Sequence, residues 1–149
     1  MNNTIRAVAC VLGVACAALP ALGQDAGVRY KPEDMKYIPT GATGTAAAVL
    51  FGDPSKEGLF AQRVKIPAGL KVPPHWHPDK SRTVVVMSGT LYFGLGETWD
   101  ESKLEARPAG TFFSEAPRAP HFVWAKDGEV ILHISGIGPS GTTVVGKAP

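Results

Sequence analysis

The chain has 149 residues, 44% of them hydrophobic and 19% charged, with 15 Lys plus Arg against 13 Asp plus Glu for a formal net charge of +2. That length accommodates one domain with a proper core and is short for two. A charge so close to balance leaves no electrostatic footprint for nucleic acid, which is excluded as a partner class.

In chain order, the first residues read as a secretory leader. A polar start carrying Arg6 runs into the apolar AVACVLGVACAALPAL, and small Ala21 and Gly23 stand before Gln24 as a cleavage site requires. Gly13 and Pro20 interrupt the apolar stretch, and it is shorter than the roughly 20 residues of a bilayer span. Residues 1–23 are therefore expected to be a signal peptide, and the mature chain to be exported to the periplasm or the extracellular space without stable membrane insertion. A lipid anchor at Cys16 is the lesser alternative, because no leucine stands three residues before it. Cys10 and Cys16 are the only two cysteines and both lie in the leader, so the mature protein folds on its core without disulfides. Loss of Arg6 lowers its net charge to +1.

Residues 24–45 form a polar, proline-bearing stretch without clear periodicity and are read as an extended arm. From Ala46 to about residue 146 the pattern changes to short β-prone runs divided by Gly and Pro: AAAVLF, LFAQRVKI, LKVPPHWH, RTVVVMS, GTLYFGLG, TFFSE, HFVWA and EVILHIS. Seven or so strands at this spacing predict an all-β sandwich or barrel. The segment ETWDESKLEARPAG is read as a polar loop whose DESKLEA portion has room for a turn or two of helix.

Three of the four histidines need a common explanation. His75 and His77 straddle Trp76, so on a strand their side chains share one face roughly 7 Å apart while Trp76 faces the other way. Two imidazoles so placed can converge on one ion. Gly69 stands six residues before His75, Gly89 twelve after His77, and Gly110 eleven before His121.

This arrangement over Gly69 to Trp124 resembles the two-part motif of the cupin superfamily. There a glycine, a His-x-His, a glutamate and a closing glycine form the first half, and a glycine and a third histidine the second. The resemblance implies a single jelly-roll barrel, or double-stranded β-helix, with one divalent metal ion inside and His75, His77 and His121 as its ligands. It also implies a possible homodimer, cupins often being paired.

The departures from the motif are as informative. The glutamate position falls on Arg82 or, with a slip of one, on Ser81; Ala116 and Arg118 replace the proline and glycine before the third histidine. Three neutral imidazoles without a carboxylate leave the ion's double charge intact and its other positions open, as at catalytic sites. Arg82 is expected to turn outward to Asp79 or to lie at the rim, where it could take a substrate carboxylate bidentately. His133 sits in EVILHIS, where parity alone does not say which face is inside; it is read as a hydrogen-bonded strand residue and kept off the ligand set. Phe122 and Trp124 alternate with His121 and Val123, so they should pack outside the barrel or against a partner.

The function expected on these grounds is an exported mononuclear metal-binding cupin, an enzyme acting on a small oxygen-bearing organic molecule as a dioxygenase-like oxidoreductase or an isomerase. The alternative is a non-catalytic module of the cell envelope that binds a small ligand or a metal. The metal is one of Zn, Mn, Fe, Ni or Cu. The leader has no twin-arginine pair, so the chain should cross unfolded and acquire its ion outside the cytoplasm, where nitrogen ligands favour late divalent ions.

Overall fold

The β-branched runs become strands, and their alternation settles which side chains meet inside. In the computed structural model, which describes residues 27–149, eleven strands are formed: β1 (Ile38–Pro39), β2 (Ala46–Phe51), β3 (Gly58–Ile66), β4 (Lys71–Trp76), β5 (Ser81–Ser88), β6 (Thr90–Leu95), β7 (Glu105–Pro108), β8 (Phe112–Ser114), β9 (His121–Trp124), β10 (Val130–Gly138) and β11 (Thr143–Val144). The expected leader, its cleavage site, Cys10 and Cys16 lie outside the described residues. Among the described residues the helical segments are 3-10 turns of three residues, Glu101–Lys103 within the anticipated loop being one. No described helix is long and apolar enough to cross a membrane.

The strands pair antiparallel into a six-stranded sheet, β1-β2-β3-β10-β5-β8, and a five-stranded sheet, β11-β4-β9-β6-β7. The two sheets face each other as a jelly roll. Val84 and Val86 of β5, Leu132 and Ile134 of β10, and Phe60 and Ile66 of β3 point inward from the first sheet; Val72, Leu91, Phe93 and Val123 meet them from the second. Each such side chain, fully buried, contributes about 1.5–3 kcal/mol of transfer free energy. The β5–β6 turn rests on Gly89, whose φ is +75° and where a Cβ would collide with the Glu129 carbonyl. Only glycine satisfies both demands, which explains its place in the motif.

Three segments differ from the sequence reading. Glu105–Pro108 is a strand paired with β6, although EARP lacks apolar alternation and is largely exposed. Thr143–Val144 pairs with Trp76 and His75 of β4. The arm is more than a lead-in, for β1 extends the first sheet through β2, and Thr40, Thr43 and Thr45 reach the central cavity.

Candidate metal centre

The site is built on two adjacent strands of the second sheet. His75 of β4 stands directly across from His121 of β9, a cross-strand pair that brings the two rings to 4.4 Å between centroids. A bulge makes this possible. Between Val72↔Val123 and His75↔His121, β4 advances three residues while β9 advances two, the extra residue falling at Pro73–Pro74. Val72 and His75 would otherwise face opposite ways; with the bulge both line the cavity. His77 follows two residues later on the same face, and Trp76 points outward under the Arg118 guanidinium, 5.1 Å from its ring centroid.

All three imidazoles are buried and offer nitrogens within 4.8 Å of one another, so His75, His77 and His121 could hold a metal ion. Their Nδ1 atoms each meet a backbone carbonyl: His75 with Pro73 at 2.7 Å, His77 with Gly141 at 2.7 Å, His121 with Ala119 at 3.0 Å. A carbonyl only accepts, so each Nδ1 carries the hydrogen and each Nε2 presents a lone pair. Burial keeps the rings neutral. It lowers the pKa of His75 and of His121 to about 4, aided at His75 by the charge of His121, and lowers that of His77 further, with the Arg82 charge as second cause. Phe93 stacks on His121 at 5.1 Å and 14°, and the Arg107 guanidinium caps the other face of Phe93 at 3.8 Å.

The centre opens into a cavity of about 220 Å³ between the sheets. Its walls are apolar, from Val64, Ile66, Leu91, Val123, Leu132 and Ile134; Thr40, Thr43 and Thr45, hydrogen-bonded to one another, lie along its lining.

Arg82 is not at an outer rim. It is 6% exposed; Nε donates to Glu115 at 2.6 Å, and Nη1 donates to Asp79 at 3.0 Å and to Ser140 at 3.4 Å. The pairing with Asp79 is the one expected, but it forms inside the protein, because Asp79 is itself 1% exposed. With two carboxylates against one guanidinium, the cluster carries a net negative charge, and Arg82 lines the cavity together with Glu115 and Ser140.

The residue missed by sequence reasoning is Glu115, just beyond β8. Its side chain is 10% exposed, with Oε1 3.7 Å from His121 Nε2 and Oε2 3.8 Å from His77 Nε2. The signal available was indirect: an arginine where a carboxylate belongs calls for an acid nearby.

His133 lies on the outer face of β10, with Leu132 and Ile134 pointing inward, and its Nε2 pairs with Ser135 Oγ at 3.2 Å. Phe122 does pack on the outside of its sheet, but Trp99 of the same chain covers it, at 5.0 Å between centroids.

Comparison with known proteins agrees with this architecture. A solved polyketide cyclase, RemF from Streptomyces resistomycificus, superposes with a TM-score of 0.66 at 16% identity, covering 80% of this chain and 86% of that one. An RmlC-like cupin from Shewanella frigidimarina gives 0.56 at 16% identity over 73% of this chain and 89% of its own. The chain has the cupin fold. Germin-like protein 5-1 of Oryza sativa subsp. japonica is 35% identical over 68 residues, 44% of this chain; the match spans 30% of that relative's length. No family model matches the chain.

Proposed function

We propose that the protein is an exported mononuclear metal-binding cupin that acts on a small oxygen-bearing organic molecule, with His75, His77 and His121 holding one divalent ion. The observation that carries this reading is the convergence of three Nε2 lone pairs, each fixed by a carbonyl on the opposite ring nitrogen, at the wall of a largely apolar cavity. An ion bound there supplies Lewis acidity to a coordinated oxygen. Three nitrogen ligands leave coordination positions for water or substrate, as catalytic sites require.

The chain's own residues define the rest. A cavity of about 220 Å³ lies below the 300–1,000 Å³ usual for drug-sized ligands, so the substrate is small. Val64, Leu91, Leu132 and Ile134 line the space for its apolar body, and the Thr40, Thr43 and Thr45 hydroxyls offer hydrogen bonds to a second polar group. A dioxygenase-like oxidation and an isomerisation both suit such an open site. Acquisition of the ion outside the cytoplasm favours zinc or another late divalent metal.

One preparation tests both parts of the proposal: protein recovered from outside the cytoplasm, with its N-terminus sequenced and its metal measured. The expected result is a chain starting near Gln24 with one equivalent of a divalent ion. Alanine at His75, His77 or His121 should remove most of the metal, whereas His133→Ala should leave it. Full metal content in the His75→Ala, His77→Ala double variant, or Met1 retained on membrane-held protein, would overturn the corresponding part.

A further inference from the structure

Glu115 faces two neutral imidazoles in a way that ordinary hydrogen bonding does not explain. With hydrogen on each Nδ1, His77 and His121 turn bare Nε2 lone pairs toward the cavity, and an ionised carboxylate is also purely an acceptor. Its two oxygens nevertheless lie 3.8 Å and 3.7 Å from these nitrogens, one against each ring. Those distances are too long for a hydrogen bond even if a ring were protonated. Acceptor set against acceptor is unfavourable unless a cation lies between them. Two ligands each about 2.1 Å from one ion stand about 3.0–3.4 Å apart in octahedral or tetrahedral geometry, so a pivot of the carboxylate turns the observed spacing into a shared coordination shell, and a five- or six-coordinate ion would keep positions for water or substrate beside four protein ligands.

We propose that Glu115 is the fourth protein ligand of the metal centre, and that Arg82 is the positioning residue that holds its carboxylate. The proposal rests on the metal-binding reading above and adds to it a residue outside the histidine set. The cupin resemblance puts a glutamate at Arg82 on β5. β5 pairs with β8 in the register Thr83↔Ser114, so Arg82 and Glu115 are the next rung of that ladder, joined by the Glu115 N–H to the Arg82 carbonyl at 3.1 Å. The carboxylate has moved across one rung. The residue left in its former place is a cation, which would be repelled by the ion if it pointed at it. Instead its Nε grips Glu115 and its Nη1 grips Asp79, fixing the rotamer that aims Glu115 between His77 and His121. Arg82 cancels one of the two carboxylate charges, so the shell as a whole still contributes one full negative charge to the ion.

The test is titration of the metal-free protein with Zn²⁺, Mn²⁺ and Co²⁺, read as dissociation constants and, for Co²⁺, as the visible spectrum that reports the ligand set. Glu115→Gln keeps the shape and removes the charge; it should weaken binding by more than about tenfold and change the Co²⁺ spectrum. Arg82→Glu combined with Glu115→Gln returns the carboxylate to β5, and should recover affinity toward that of the unaltered chain. Thermal melting of the metal-free variants separates folding from ligation, because a purely structural Glu115 would lower the melting temperature and leave the dissociation constants unchanged. If the unaltered chain binds and Glu115→Gln binds equally well with the same spectrum, Glu115 is not a ligand and the three-histidine reading stands alone. If the double variant folds and binds no more tightly than Glu115→Gln, the transposition across the rung is overturned. If the unaltered chain binds none of the three ions, the metal reading fails and this proposal fails with it.

Discussion

Arg118 stands where the cupin resemblance has a glycine, and the backbone has kept the glycine's conformation: φ is +58°, the only described non-glycine residue in the left-handed region. The conformation is retained because the Arg118 N–H donates to the His77 carbonyl at 2.8 Å, locking the loop before His121 onto the residue that follows β4. The guanidinium over Trp76 offsets part of the strain. Arg118→Val, β-branched at positive φ, should therefore be less stable than Arg118→Gly by about 1–3 kcal/mol in urea unfolding. Equal stabilities would show that the loop relaxes freely. At this scale the histidines were legible because local spacing and strand parity act within one short segment. Glu115 was not, because its relation to Arg82 exists only through the pairing of β5 with β8, residues 33 apart in sequence. Arg82 was read as an anomaly and its pairing with Asp79 expected, but no sequence pattern shows that a second acid, Glu115, joins it in the interior.

Among elements, the decisive one is the bulge at Pro73–Pro74. Neither proline has an N–H to lose from the ladder, so the irregularity costs little there. It provides two carbonyls with definite duties: that of Pro73 orients His75, and that of Pro74 accepts the Val145 and Gly146 N–H groups at 2.8 Å and 3.2 Å. Deleting Pro74 leaves Val72 and His75 two steps apart, the spacing of one face in a regular strand, so the variant should keep its metal, measured as bound ion per chain, while losing the carbonyl that receives Val145 and Gly146. Loss of the ion would mean that the bulge itself, and not only the shared face, is needed to aim His75. The sequence revealed the strand and the shared face of His75 and His77. It could not reveal that Val72 joins them, because alternation counted through residues 73 and 74 gives the opposite answer. β7 and β11 escaped notice for a related reason: both are short and exposed, so they show no alternation of their own.

For the whole molecule, the barrel was legible from turn residues at regular spacing, since glycine and proline punctuate strands by purely local chemistry, whereas the cavity depends on how the sheets face each other. Enclosing three imidazoles has a thermodynamic result. Their folded pKa values are depressed, at about 4 for His75 and His121, so between that range and the unfolded value near 6.5 the unfolded chain binds more protons. Metal-free protein should thus have its full histidine contribution above about pH 6.5 and lose stability as pH falls toward 4, and alanine at all three positions should flatten that part of the profile. Calorimetric melting across pH 4–7 measures it; a profile unchanged by the substitutions would place the titration elsewhere. The tie between His77 Nδ1 and the Gly141 carbonyl spans 64 positions, and β11 pairs back onto β4 from the same region. A ribosome releases the chain from its N-terminus, so the backbone group that orients His77 emerges long after the histidine itself. An ion met by the nascent polypeptide would find a His-x-His of low selectivity, and the three-histidine geometry is complete only once Gly141 and β11 are in place, so any choice among metals would be a property of the finished protein rather than of its synthesis.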